Sequence, residues 1–481
     1  MSQHEENIKD VEFILAKVQF FIERSWEELK EHFRQNRWDG LYLLPHPGGQ
    51  GHLFCGQEAF HRFSLIARRY LSSHKDKASK ILLPEFTKAL TEEFTKRFLG
   101  SNPAQVNKQN IERMLSSAYR NVSSKFDSLT HYIPCSIVLY ADPEKFKIGP
   151  VQFIHKSSFK NEYGEEIEAR RRAIAGKHKE RCKKAVLEGM KPENAAKPEQ
   201  SKELSDYLID GVNTFFDLYD WVGIIIIEAC HPVVSRQRAI LAVEGAINIL
   251  KLLLGQRYSD KMRTAFAPGI PARTAELRRS SGGVLEVIVS RSYDGNLPGK
   301  NWYQDISEAL GLHFKLAEKS LEAFLDTKGE MLLSQRFVDA LAWYGDAVSE
   351  PSPASKVVKY VSAMERMTVT GKEWNENKEE RSITEILTRR SAILHHDPDN
   401  LDSSLKEIEE IYECRSEIIH GSLSPFHGSI SNMAERAEFF ARIVLLSGLQ
   451  YFQSLGLDNP KFTTKQLRRA YVSLEKHFFP A

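Results

Sequence analysis

Arg415 and His420, five residues apart in the stretch CRSEIIHGS (414–422), are the side chains whose types and spacing best suit a reaction. A guanidinium stays charged and offers a planar fork of donors matched to phosphate. An imidazole can take and return a proton near neutral pH. His420 stands immediately before Gly421, with Pro425 just beyond, so it belongs in the last turn of a helix, where the helix dipole favours a cation. Ser416, four residues before His420, shares its side of that helix. Together they suit phosphodiester cleavage, with the arginine holding a phosphate and the histidine moving a proton.

The helix predicted over 400–420 has Leu405, Ile408, Ile411, Tyr412, Ile418 and Ile419 as apolar positions. Positions 408, 411/412, 415 and 418/419 make one stripe, so Arg415 is expected to point inward. A buried arginine needs a carboxylate, a phosphate or a subunit partner. Glu365, on the apolar-faced helix 354–368 (KVVKYVSAMERM), is the carboxylate expected to meet it. Spacing alone leaves a second reading open, in which Arg415 closes a buried salt bridge and His420 caps a helix. With 66 Lys and Arg and 16 His among 481 residues, such an arginine–histidine spacing recurs by chance about three times.

Other chemistry finds little support. No GxxxxGK[ST] or strand-following GxGxxG is present, and the glycine-rich HPGGQGH (46–52) opens onto no phosphate-binding lysine. His52, Cys55 and His61 lack a fourth ligand at a supporting spacing, and His395 and His396, beside a Pro-Asp turn, read as surface residues. There is no nucleophile elbow and no HExxH, so neither a metal nor a cofactor is expected.

The elements that must position Arg415 and His420 lie in a chain of ordinary globular composition, 42% apolar, 27% charged and 10% aromatic. A net charge of +2 gives a weak overall field, so a nucleic acid would have to be held by local basic patches. The N-terminus MSQHEENIKD has no signal-peptide core, and the most apolar stretch, WVGIIIIEAC (221–230), is far short of a bilayer span. Cys55, Cys135, Cys182, Cys230 and Cys414 are scattered and odd in number, so no disulfide framework is expected and a reducing cytoplasm is the natural setting, without a membrane.

The expected fold class is α+β and mostly α, a mixed N-terminal region followed by a C-terminal all-α bundle. Residues 1–129 read as a mostly helical segment with helices over 5–34, 56–71, 84–99 and 106–124. The first of these carries the stripe Ile8, Val11, Leu15, Val18, Ile22 and Leu29. Residues 130–325 read as α+β, with strands in HYIPCSIVLY, GPVQFIH, WVGIIIIEA and VLEVIVSR (284–291). In the same region Ser235 is expected to cap a helix over 236–254 that stops at Gly255.

A charged insertion, 160–205, carries Arg170, Arg171, Arg172, Lys177, Lys179, Arg181, Lys183 and Lys184. It reads either as a solvated helix or mobile linker, or as a phosphate-contacting arm that would bind RNA. From 303 onward helices are predicted over 303–326, 330–349, 354–368, 381–395, 400–420, 430–456 and 463–477, so residues 330–481 read as a bundle.

Tyr412 to Gly421, YECRSEIIHG, resembles the Y-x-x-R-S-x-I-V-H-G signature of HEPN domains of the ApeA-like branch. RFVDALAWYGDAV followed by KVVKYVSAMERM resembles the paired opening helices of that branch, with Met364-Glu365 at its A-L-E position. The likeness covers about 330–481, and HYIPCSIVLYADPEKFKIGPVQFI resembles a segment that often precedes such domains in bacterial proteins. One departure is Ser416, where many HEPN nucleases carry Asn, Asp or His.

The resemblance implies a metal-independent endoribonuclease, often a toxin or antiviral effector, with Arg415 and His420 catalytic. It also implies a homodimer in which two R-x4-6-H motifs meet across the interface. Five residues turn a helix by about 140°, so one helix does not aim both side chains at one phosphate, and a second chain supplies the complement. The alternative within the family is a non-catalytic domain that binds a nucleotide or a partner. The sequence names no activating trigger, phage-derived or nucleotide.

Overall fold

The computed structural model of the chain describes residues 2–138, 142–187, 200–267, 273–279, 285–291, 299–326, 331–374, 380–395 and 400–479. It is α+β and mostly helical, and it divides into two units. One runs to Thr130 and includes Ile226–Arg238, and the other comprises His131–Ile225 and the chain from Ala239 onward.

In the first unit Ser25 splits the helix predicted over 5–34. The Ser25 hydroxyl accepts from the Glu28 N–H, and the Glu28 carboxylate accepts from the Ser25 N–H at 2.8 Å. This reciprocal cap satisfies two otherwise orphaned donors, so a new helix starts instead of the old one continuing. The result is α1 (Gln3–Ile22) and α2 (Trp26–Gln35). Val11, Ile14 and Val18 are fully buried, while Ile22 leaves the stripe and is exposed.

A hairpin follows, β1 (Leu43–Pro45) and β2 (His52–Phe54), and HPGGQGH makes its turn, with Gly49 and Gly51 at positive φ. The helices α3 (Gln57–Ser72), α4 (Lys75–Ala78), α5 (Leu83–Phe98) and α6 (Lys108–Ser123) complete a core built around Phe63, Ile66, Phe86, Leu90, Phe94 and Met114.

The sheet contains β3 (Asp127–Ser136), β4 (Lys145–Ile148), β5 (Val151–His155), β6 (Trp221–Cys230) and β7 (Arg263–Thr264), in the order β4-β5-β6-β3-β7. Gly149, at φ +52°, turns β4 directly into β5, with Ile148 opposite Val151. Between the antiparallel neighbours β5 and β6 the chain makes a helical excursion, α7 (Lys156–Leu187) and α8 (Gln200–Asp217). After β6 comes α9 (Pro232–Leu254). Ser235 lies buried inside it and is not its cap, because Pro232, whose fixed φ suits a first turn, starts the helix three residues earlier. Gly255, at φ +79°, ends it as predicted. A short α10 (Gln256–Ser259) and a hairpin of β8 (Arg273–Arg279) and β9 (Leu285–Arg291) follow.

The remaining helices are α11 (Trp302–Ala309), α12 (Gly311–Leu325), α13 (Leu332–Ser349), α14 (Pro353–Thr368), α15 (Ile383–His395), α16 (Leu401–His420), α17 (Ile430–Leu455) and α18 (Thr464–Phe478). The helix predicted over 303–326 is thus two, divided at Leu310. Phe337, Tyr344, Tyr360, Val361, Met364, Val444 and Leu445 form the bundle core.

The α9 helix is fastened to the bundle by polar contacts. Lys251 donates to the Gly345 carbonyl at 2.9 Å and to the Ser349 hydroxyl at 2.8 Å, and burial pulls its ammonium pKa down to about 8. Arg442 donates to the terminal carbonyls of Leu252 and Leu253, at 2.8 and 2.5 Å.

The far end of the bundle is organised by Arg390 on α15, which is fully buried. Its fork meets Glu475 of α18 at 2.6 Å, Glu373 at 2.5 and 2.9 Å and the Thr368 carbonyl at 2.8 Å. Its guanidinium carbon lies 4.7 Å from the centre of the Tyr471 ring. Burial alone would raise the Glu373 carboxyl, but hydrogen bonds from Arg390 and Thr370 outweigh it and hold the pKa below the usual range. Replacing Arg390 by Leu takes away the buried cation that Glu373 and Glu475 share, leaving Glu475 to Arg381 at 2.7 Å and Glu373 to Thr370 at 2.6 Å, and about 3–5 kcal/mol of stability should be lost. Urea unfolding of the variant beside the wild-type chain measures this, and an unchanged midpoint would contradict the structural role.

Candidate active site

Local chemistry ends α16 as the sequence suggests. Gly421 adopts φ +76°, a left-handed conformation with open space around its Cα, and the Ser422 N–H returns to the Glu417 carbonyl at 3.0 Å. The last turn is left open, and His420 on it is exposed. Among the described residues His420 has no hydrogen-bond or ionic partner, and Ser416, half-buried, makes no hydrogen bond to it or to Arg415.

The inward reading of Arg415 needs a one-residue correction. The buried face of α16 is Ser404, Ile408, Ile411 and Cys414, so the stripe advances by three residues after Ile408 and Cys414 takes the buried position. Arg415 sits at the margin, its side chain 22% exposed. Ile418 is half-buried and Ile419 is 49% exposed.

Glu365 of α14 does meet Arg415, but loosely. Nη2 lies 3.8 Å from Oε1, an ion pair too long for a hydrogen bond. The Nε of Arg415 is buried with no acceptor, and the guanidinium lies 5.5 Å from the centre of the Tyr412 ring. Burial raises the Glu365 carboxyl above its ordinary pKa, with Arg415 only partly opposing it. An arginine held this way is positioned by a carboxylate and a ring, and besides the buried Nε its terminal nitrogens make no hydrogen bond among the described residues.

The basic run lies on α7. Arg170, Arg172 and Lys183 are exposed, as is Lys184. Arg171 is spent on structure: it meets Glu168 at 2.9 Å and, on α8, Asp206 at 2.9 Å and Asp210 at 2.7 Å. These carboxylates, Asp210 first, raise its pKa. In the described part of the insertion α7 is thus tied to α8 through Arg171, whose donors are engaged by three carboxylates.

The remaining candidates resolve as structural groups. Cys55 is buried, donates weakly to the Tyr42 carbonyl, and has its thiol pushed up to about 12 by burial and then by Asp39. No cluster of three or more His, Cys, Asp or Glu able to hold a metal occurs among the described residues. His395 is half-buried, not a surface residue, because it hydrogen-bonds Ser404 at 3.0 Å and packs on Phe439 and Phe440. His396 lies outside the described residues.

Sequence reasoning missed one further assembly, an apolar trough floored by Tyr132, Phe159, Tyr163 and Phe216. Its signal was Phe159, Tyr163 and Ile167, spaced by four across the start of the charged insertion. No helix among the described residues is long and apolar enough to cross a membrane. No family model, no curated protein and no solved structure matches this chain.

Two glutamates with opposite shifts give opposite pH behaviour. Glu365, whose pKa is raised, favours the folded state fully only below its unfolded pKa, and that contribution fades as pH rises through the folded value. Glu373, whose pKa is lowered, contributes above its unfolded pKa and loses that contribution as pH falls through the folded value. Glu365→Gln should therefore hold or raise the melting temperature at pH 7, by more than at pH 4. Glu373→Gln should lower it at pH 7 and less so at pH 4. Thermal melts across this range decide the matter, and a loss of stability at pH 7 in Glu365→Gln would contradict it.

Proposed function

We propose that the protein is a metal-independent endoribonuclease of the HEPN type, acting as a toxin or antiphage effector, with Arg415 and His420 as its catalytic residues. The observation that carries this reading is an arginine whose terminal nitrogens make no hydrogen bond among the described residues, five residues from a histidine without a partner among them on an open helix end. The resemblance of 330–481 to ApeA-like HEPN domains supports it.

In this mechanism His420 either removes the 2′-hydroxyl proton or protonates the leaving 5′-oxygen, and in the dimer the second copy's histidine does the other. The 2′-oxygen attacks phosphorus as the bond to the 5′-oxygen breaks. Arg415 stabilises the charge that accumulates on the phosphorane-like transition state. The products are a 2′,3′-cyclic phosphate and a 5′-hydroxyl, and DNA, lacking the 2′-hydroxyl, resists. Arg172 and Lys183 add sequence-independent affinity for the RNA backbone.

A labelled RNA incubated with each purified variant in EDTA tests the assignment. His420→Ala should lower cleavage at least a hundredfold while leaving the melting temperature nearly unchanged, because the side chain is exposed. Arg415→Ala should lower cleavage as far but also lower the melting temperature, because it strips the half-buried Glu365 of its ion pair. Arg415→Lys should not rescue cleavage, since one ammonium does not reproduce a planar fork. Cleavage by His420→Ala at the wild-type rate would remove the histidine from the mechanism.

The active species in this reading is a homodimer formed through the end of α16. Ile419 and Phe426, 49% and 94% exposed, offer apolar surface on either side of Gly421, where a second copy would bring its own motif. Light scattering should show a dimer at micromolar concentration, and Phe426→Glu should dissociate it and reduce cleavage together. A monomer with full activity would contradict the two-chain site.

One observation favours a second reading. The Glu365 carboxylate already faces Arg415 at 3.8 Å, so the arginine has a structural ion pair that needs no substrate, which suits a non-catalytic domain that binds a nucleotide or partner. RNA binding without cleavage in the same assay would select it.

A further inference from the structure

We propose that the trough between α7, α8 and the sheet binds one long-chain aliphatic anion, an acyl chain with its carboxylate at Arg170. The cavity encloses about 530 Å³. Tyr132 of β3 and Val222 of β6 line it on the sheet side, Phe159 and Tyr163 on the α7 side, and Phe216 on the α8 side. Along α7 its wall runs from Lys156 to Ala173, which at helical rise is about 25 Å.

That length and the wall chemistry select the ligand. The rings are engaged with one another: Phe159 stacks on Phe216 at 5.7 Å and 19°, and Tyr132 meets Tyr163 edge-on at 5.1 Å. They make a continuous apolar floor, without the paired parallel faces that would clamp a flat base. Apart from the two tyrosine hydroxyls, the neutral polar side chain on the wall is Asn213, so a nucleobase or sugar would bury polar edges with few partners.

The charges fix the polarity of the bound chain. Two of the three lining cations are neutralised, Lys156 by Asp220 at 2.7 Å and Lys160 by Asp217 at 2.5 Å. Arg170, at the other end of the α7 wall, has no ion pair among the described residues, and the lining carboxylate nearest it in sequence is Glu166, one turn away. The anionic head therefore sits at Arg170 and the tail runs toward Phe159 and Val222. This site is independent of the ribonuclease reading, and it gives Arg170 a role distinct from binding RNA.

Calorimetric titration of the full chain with octanoate, decanoate and dodecanoate, below their aggregation concentrations, tests the proposal. One equivalent should bind, and affinity should rise about fourfold for each added methylene. Val212→Trp, at an exposed position on the trough wall, should abolish binding while the melting temperature is kept. Arg170→Glu should weaken every member of the series roughly tenfold without altering the increment per methylene, and Arg170→Lys should restore most of it. Dodecanol should bind less tightly than dodecanoate by a similar factor. The proposal is overturned if affinity does not grow with chain length, if dodecanol binds as tightly as dodecanoate, or if adenosine monophosphate binds in preference to both. Should Val212→Trp fail to fold, the chain-length series and the Arg170 pair decide alone.

Discussion

A guanidinium shut away from water is the constraint on which the C-terminal half of this protein depends. Arg390 is fully buried, and such a group is tolerable only when its donors are met and its charge is compensated. Meeting them requires Glu373 from the segment after α14, Glu475 from α18 and the last carbonyl of α14 to converge on α15. Arg381 adds a second tie to Glu475 at 2.7 Å. These demands leave little freedom in how the three elements meet, and α15 in turn packs on α16, which carries Arg415 and His420. The candidate site is therefore built on regular elements, one of which, α15, is tied to α14 and α18 by this buried charge.

The arginines show how one functional group is given different work by its surroundings. Arg390, Arg442 and Arg171 spend their donors on carboxylates or carbonyls within hydrogen-bond reach. Arg415 is held at 3.8 Å by one carboxylate that burial itself discourages from ionising. The difference is not exposure, since the Arg171 and Arg415 side chains are 20% and 22% exposed. It is satisfaction. Loose first contacts keep a cation ordered without exhausting it.

Much of the architecture was legible in the chain because the signals are local. Gly149, Gly255 and Gly421 mark stops and turns through backbone conformations that other residues avoid, and the C-terminal helices follow their apolar periodicity within a few residues. The errors came from competing local signals. Ser25 with Glu28 outweighed a continuous stripe, and Pro232 outweighed Ser235. Tertiary facts were beyond reach. Nothing near Arg390 in sequence announces that Glu475 will neutralise it, 85 residues away, and the flank of α16 that Arg415 occupies turned on a single residue of phase. At the site itself, a carboxylate partner for Arg415 was readable from residue type, while the flank it occupies and the length of the pair were not.

The placement of α7 and α8 between β5 and β6 bears on how the sheet assembles. His155 stands opposite Trp221 in adjacent antiparallel strands, so a pairing that usually needs only a tight turn must close over the whole intervening excursion. A structureless segment of that length would impose a loop-closure cost and slow the search for register. Helix formation within the excursion shortens the contour that has to be closed, and the clamp of Arg171 on Asp206 and Asp210 draws α7 and α8 together. Lys156 then reaches Asp220 at 2.7 Å, where the first residue after β5 meets the last before β6. The helical pair thus shortens the closure between β5 and β6. Ion pairs at both its base and its middle, Lys156 to Asp220 and Arg171 to Asp206 and Asp210, hold the two arms of the excursion together.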